Sequence, residues 1–92
     1  MSANALYWKW IDEVAYAVRE ETGQDTDDIH EFFKAKFLTP RRVEVNGEMA
    51  EFRSTRNLTV QEMKDYMDRI YAFVTSELGI LLPVPEDLGR AA

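Results

Sequence analysis

Apolar residues recur at steps of three to four in two long stretches of the chain, which places them on one face of an α-helix. In residues 4–21 this stripe consists of Leu6, Tyr7, Trp10, Ile11, Val14, Ala15 and Val18. In residues 59–78 it consists of Met63, Tyr66, Met67, Ile70, Val74 and Leu78. Because an amphipathic helix must bury its apolar face against another element, this spacing predicts a core built by packed helices.

A shorter helix is predicted between them, over residues 26–37. Its apolar face consists of Ile29, Phe32, Phe33 and Phe37. Gly23 is expected to end the helix before it, and either Asp25 or Thr26 to cap its start. Pro40 closes the segment, because the residue before a proline avoids helical geometry.

A β-hairpin is predicted after Pro40, because Asn46-Gly47 is a strong signal for a two-residue hairpin turn. This turn predicts cross-strand pairing of Val45 with Glu48, Val43 with Ala50 and Arg42 with Glu51. Since a two-stranded hairpin is only marginally stable alone, we expect it to lie on the helices.

The last helix carries signals at both ends. Thr59 followed three residues later by Glu62 is a capping-box pattern, and Gly79 suits the left-handed residue after a helix. Residues 81–85 are expected to be extended and residues 87–92 to fray. The predicted fold is mainly α, with three helices and a short β-hairpin between the second and third, in a single small domain over residues 1–92.

The size and composition of the chain favour a small cytoplasmic binding module. Its 92 residues include no cysteine, no signal-peptide pattern and no apolar run near the ~20 residues that span a bilayer. A chain this short buries only roughly 60–65% of its unfolded surface, so a ligand is expected on a surface and not in a deep cavity.

Charge is distributed unevenly along the chain. The net charge is −6, yet residues 34–56 carry six basic and three acidic residues, a net +3 that leaves −9 for the rest. The basic residues are Lys34, Lys36, Arg41, Arg42, Arg53 and Arg56. They are either scattered solvated side chains or a surface for nucleic-acid phosphates, with the arginines that flank the hairpin expected to converge.

Aromatic residues crowd the start of the first helix. Trp10 belongs to its apolar stripe, whereas Trp8 lies outside it. Three large rings from Tyr7 to Trp10 cannot all face one core. Trp8 is therefore expected to be covered by another part of the chain, such as the C-terminal segment, or by a subunit, or else to be exposed as a stacking or contact residue. We also expect a homodimer with aromatic residues at its interface, because the apolar faces of the first and last helices exceed what one short helix covers.

The residues that could carry catalysis are few. His30 is the only histidine and is predicted to be structural or solvent-facing. The acidic group at the second helix start matches no calcium loop, so capping and interaction with the helix dipole explain it better than a metal. It consists of Asp25, Asp27, Asp28 and Glu31. Neither an enzyme activity nor a cofactor is predicted.

Three segments of the chain are similar to a known family: SANALYWKWIDEVA, DDIHEFFKAKFL and STRNLTVQEMKDYMDRIYAFVTSELGILLPVPED. Together they resemble the C-terminal helical domain of the phage lambda NinB (Orf) and YbcN recombination proteins. The residues that carry the resemblance are Asn4, Tyr7, Trp8, His30, Lys34, Ser54, Thr55, Leu78, Gly79, Pro83 and Pro85. Ala3 departs from the family's usual glutamine, and the family's N-terminal domain has no counterpart in these residues.

This resemblance implies a homodimeric, non-catalytic accessory protein of phage homologous recombination in the bacterial host cytoplasm. Such a protein binds DNA without sequence preference, favours single strands, and helps to load a recombinase by acting on the host single-strand-binding protein. The alternative is a protein-protein interaction or dimerisation module without DNA contact. A winged-helix reader of duplex DNA is a third interpretation, which the acidic and phenylalanine-rich second helix disfavours.

Overall fold

A computed structural model describes residues 2–84 of the chain and has the predicted mainly α fold. The elements in chain order are α1 (Ala3–Thr22), α2 (Thr26–Phe37), β1 (Arg41–Val45), β2 (Glu48–Phe52) and α3 (Val60–Phe73). A π-helical turn, Val74–Leu78, continues α3. The predictions for Pro85 and for residues 87–92 lie outside the described residues.

The helix ends are set by short polar contacts. The side chains of Asp25 and Thr59 accept hydrogen bonds from the backbone N–H groups of Asp28 and Glu62. In turn, the side chains of Asp28 and Glu62 accept hydrogen bonds from the backbone N–H groups of Asp25 and Thr59. These capping boxes satisfy backbone N–H groups that have no partner within the helix. Gly23, with φ of 72°, confirms the predicted end of α1, and Gly79 likewise follows the π-helical turn with φ of 65°.

The buried core lies between the three helices and the segment after them. It consists of Leu6, Tyr7, Trp10, Ile11, Val14, Ala15, Ile29, Phe33, Tyr66, Met67, Ile70, Val74 and Leu82. The apolar faces of α1 and α3 thus cover each other, with help from α2 and residues 80–84. That coverage weakens the argument from which the sequence predicted a dimer, although Leu78 of the predicted stripe is 39% exposed. The dimer stays a prediction.

The segment after the π-helical turn packs across α1. Leu82 is fully buried, and the Trp10 indole Nε1–H donates a hydrogen bond to the Pro83 carbonyl oxygen. Trp10, and not Trp8, is therefore the tryptophan that the C-terminal segment covers. Among residues 2–84, no helix is both long and apolar enough to cross a bilayer.

The hairpin has the predicted register but not the predicted position. Val45 pairs with Glu48, Val43 with Ala50 and Arg42 with Glu51, around a turn in which Asn46 and Gly47 both have positive φ. Neither strand packs extensively on a helix, however, and nine of the ten strand residues are exposed. The expectation that the hairpin lies on the helices is wrong, because the chain turns away from the core after α2.

Candidate nucleic-acid interface

An open cleft of about 580 Å³ lies where the start of α1, the middle of α2 and the start of α3 approach one another. Its lining combines two aromatic rings, those of Trp8 and His30, with polar groups and apolar side chains. The lining residues are Ala3, Asn4, Trp8, His30, Thr55, Arg56, Leu58, Thr59, Val60 and Met63. We call this the Trp8 cleft. Four of the residues that carry the family resemblance, Asn4, Trp8, His30 and Thr55, meet in it.

Trp8 is half-buried and held by two aromatic neighbours. Its ring centroid lies 4.6 Å from that of His30, with a tilt of 39°, and 5.3 Å from Tyr7 in an edge-to-face arrangement. The ring is therefore neither under the C-terminal segment nor fully exposed. It is partly covered by His30 of α2, another part of the chain, and its remaining surface lines the Trp8 cleft. Stacking on a base stays a prediction.

His30 also belongs to a hydrogen-bonded row of three side chains that continues into the core. The Tyr7 hydroxyl group bonds to Nδ1 of His30 and lies 3.0 Å from the Tyr66 hydroxyl oxygen. When Nδ1 carries no proton, Tyr7 donates to it and accepts from Tyr66. Burial raises the pKa of Tyr7 above its ordinary value and raises the pKa of Tyr66 to about 12, so both hydroxyl groups stay protonated near neutral pH.

The surroundings of His30 favour its neutral form. Burial lowers its pKa below 6.5, and the positive charge of Lys34 lowers it further, whereas Glu31 and Asp27 act in the opposite direction. Since Tyr7 occupies Nδ1, the other ring nitrogen, Nε2, is the polar atom that His30 can offer to a ligand. The sequence predicted a structural or solvent-facing histidine, and His30 is a structural one, partly buried and bonded to Tyr7, that also lines the cleft.

Cations continue from the Trp8 cleft to the open end of the hairpin. Lys34 Nζ lies 3.4 Å from the Arg53 carbonyl oxygen, and Arg53 Nε donates to the Leu38 carbonyl oxygen at 3.0 Å. Arg41 lies over the ring of Phe52, the residue before Arg53. With Arg56 in the cleft itself, these contacts define a basic path: Lys34, Arg41, Arg53 and Arg56. Glu31 partly neutralises the path through an ion pair of 2.7 Å with Lys34.

Two of the predicted basic residues lie away from this path. Lys36 is two positions from Lys34, about 200° around α2, and its ammonium group lies over the rings of Phe37 and Phe73. Arg42 points to the opposite face of β1 from Arg41 and pairs with Glu51 at 3.8 Å. The six cations therefore do not form one patch, and Arg41 and Arg42, both expected to converge with Arg53, lie on opposite faces of the hairpin.

The acidic residues at the start of α2 act as predicted. Asp25 and Asp28 form the capping box, and Asp27 lies in the first turn, where a negative charge opposes the positive end of the helix dipole. Within residues 2–84, no group of three or more His, Asp or Glu is placed to hold a metal ion. The chemistry that the Trp8 cleft and basic path can offer is stacking, hydrogen bonding and attraction of phosphate groups.

Sequence reasoning missed part of this site. Leu58, Val60 and Met63 complete its apolar lining, and Tyr66 supports Tyr7 from below. The apolar stripe of the last helix predicted that Met63 and Tyr66 face the core, but no local pattern shows that they meet Trp8 and Tyr7, which lie far from them in the sequence. Comparison with protein-family models, curated proteins and solved structures gave no match to this chain. The family resemblance accordingly stays a prediction.

Proposed function

We propose that the chain is a non-catalytic accessory protein of phage homologous recombination, of the recombination-mediator type, that binds single-stranded DNA in the bacterial cytoplasm. The observation that carries this proposal is the basic path that leads from Arg41 at the hairpin to Arg56 beside the half-buried Trp8. Cations along a path attract the phosphate backbone, and an aromatic ring next to it stacks on bases without reading sequence.

The position of Trp8 favours single strands over duplex DNA. Its ring lies in a cleft and not on a projecting surface, so a base must leave the stack of a duplex to reach it. Unstacking costs a few kcal/mol in a duplex and little in a single strand. The proposed preference for single strands therefore follows from the geometry of the ring.

The acidic remainder of the chain limits the affinity. Residues outside 34–56 sum to −9 and repel a polyanion, so binding is expected to be weak and sensitive to salt. If three to four phosphates are neutralised, log affinity should fall against log salt with a slope of roughly −2 to −3, at ~0.7 per contact.

Arg41 and Arg42 provide a matched test of this proposal. Arg41→Gln removes a charge of the basic path, whereas Arg42→Gln removes the same charge from the opposite strand face. Titration of a labelled single strand across salt concentrations should show a slope reduced by ~0.7 for Arg41→Gln and little change for Arg42→Gln. Equal slopes for both variants and the parent, or no strand binding at low salt, would reject the proposal.

Two further parts of this proposal concern proteins. The family resemblance implies a homodimer and action on the host single-strand-binding protein, and both are proposed with it. A direct check is whether the chain alters single-strand-binding protein on a labelled strand. An unchanged complex at saturating concentration would remove the mediator role while leaving strand binding.

A second candidate function, self-association without DNA contact, is favoured by the hairpin. One face of the hairpin carries Val43, Val45, Ala50 and Phe52, and Val45 is 67% exposed. Arg41 and Glu48 lie at opposite ends of that face, so a two-fold arrangement would place them against each other in two copies. Sedimentation should then show a dimer that Val45→Lys disrupts and Glu44→Lys, on the other face, does not.

A further inference from the structure

The Trp8 cleft is large enough to hold a small molecule. Its volume of about 580 Å³ falls within the ~300–1,000 Å³ of ordinary ligand pockets. A nucleotide is a ligand of this class, whereas the backbone of a strand crosses an open surface. The volume of the cleft is therefore sufficient for one nucleotide.

Its aromatic wall is fixed before any ligand arrives. The Trp8 ring packs against His30, and His30 is fixed in turn by its bond to the buried Tyr7. Leu58 and Met63, both half-buried, provide further apolar surface. An indole held in this way loses little freedom when a base stacks on it, which lowers the entropic cost of binding.

The polar groups of the cleft are available to a ligand. Among residues 2–84, the side chains of Asn4, Thr55 and Arg56 make no hydrogen bond or ion pair within the chain, although all three line the cleft. A carboxamide can donate and accept along the edge of a base, and a guanidinium group can bind two oxygens of a phosphate. The three groups match the two ends of a nucleotide.

We infer that the Trp8 cleft binds one unpaired nucleotide, with its base on Trp8 and against Asn4 and its phosphate at Arg56. This inference rests on the proposed strand binding and adds to it a specific binding site for one base of the strand. The basic path holds the backbone, and the cleft accepts a single base that is turned out of the strand. An amide at the base edge gives this one position a base preference that the remaining positions lack.

The test uses the full chain, whose two tryptophans are Trp8 and Trp10, and comparison with Trp8→Phe assigns the indole signal of Trp8. That signal is followed by nuclear magnetic resonance during titration with each deoxynucleoside 5′-monophosphate, with deoxyribose 5-phosphate and inorganic phosphate as controls. The nucleotides should shift the Trp8 indole N–H and the Asn4 side-chain amide, and the two controls should not. Equal shifts with inorganic phosphate would reject a base site and leave only an anion site.

Substitutions in the cleft test whether it contributes to single-strand binding. Trp8→Leu should weaken single-strand binding by roughly 5- to 150-fold, the equivalent of losing one base stack, while Trp8→Phe should retain most of it. Asn4 is exposed at the start of α1, so Asn4→Ala should leave the fold intact and reduce the differences among the four nucleotides.

The outcomes separate this inference from the proposed function. Strand binding that depends on Arg41 but shows no Trp8 shift would overturn the single-nucleotide site alone. Absence of both would overturn the proposed function as well. A mononucleotide that binds as tightly as the strand would show a site for free nucleotides and would overturn the inference that the cleft serves a strand.

Discussion

The hydroxyl group of Tyr7 in α1 hydrogen-bonds to Nδ1 of His30 in α2, 23 residues further along the chain. This bond joins the buried core to the wall of the Trp8 cleft, because the same hydroxyl group also meets Tyr66 in α3. One oxygen atom thus links all three helices. The orientation of His30, and through it that of Trp8, depends on this contact.

Replacing Tyr7 with phenylalanine should lower the free energy of unfolding by about 1–3 kcal/mol. The change keeps the buried ring but leaves Tyr66 and His30 without their partner, and unsatisfied polar groups in a protein interior are costly. Urea denaturation measures the change, with Tyr16→Phe as the control because Tyr16 is exposed. Equal effects of the two substitutions would show that the hydrogen bonds contribute nothing.

Acid should destabilise the chain through His30. Its pKa is lowered in the folded protein, chiefly by burial, so the unfolded chain takes up the proton first as the pH falls. The stabilising contribution is complete above about pH 6.5 and is lost as the pH falls from there towards the lowered folded pKa. Resonances of this sole histidine should titrate below pH 6.5 in the folded chain and near 6.5 in urea.

The control for this effect is His30→Gln, in which the loss of stability just below pH 6.5 should shrink. Titration of the folded histidine at or above pH 6.5 would contradict the arrangement, since burial and Lys34 would then be outweighed by Glu31 and Asp27. Bound single-stranded DNA should raise the pKa of His30 in the folded chain, because a nearby phosphate favours the charged imidazole.

Two adjacent phenylalanines should differ sharply in their contribution to stability. Phe33 is fully buried, and Phe33→Ala should cost about 3–5 kcal/mol by leaving a cavity. Phe32 is 48% exposed, so Phe32→Ala should cost roughly 1 kcal/mol. Thermal or urea denaturation of both variants compares them directly, and similar costs would mean that α2 is rotated from the orientation described.

The local elements of this protein follow from its sequence. The three helices, the Asp25 and Thr59 caps, the glycine stops and the register around Asn46-Gly47 all depend on residues within a few positions of one another. Spacing and backbone preference determine such features directly, because the interactions that stabilise them lie within one turn or one strand pair.

The site was decided by tertiary structure. The Trp8 cleft needs Trp8, His30 and Thr55 to meet from three separate parts of the chain, and no short-range pattern states how three helices are arranged. The path of the chain after α2 is likewise a long-range property, so the hairpin formed as predicted and yet lies away from the core. The alternation of side chains along β1 could have predicted that Arg41 and Arg42 lie on opposite faces. Only tertiary packing placed Arg56 beside Trp8.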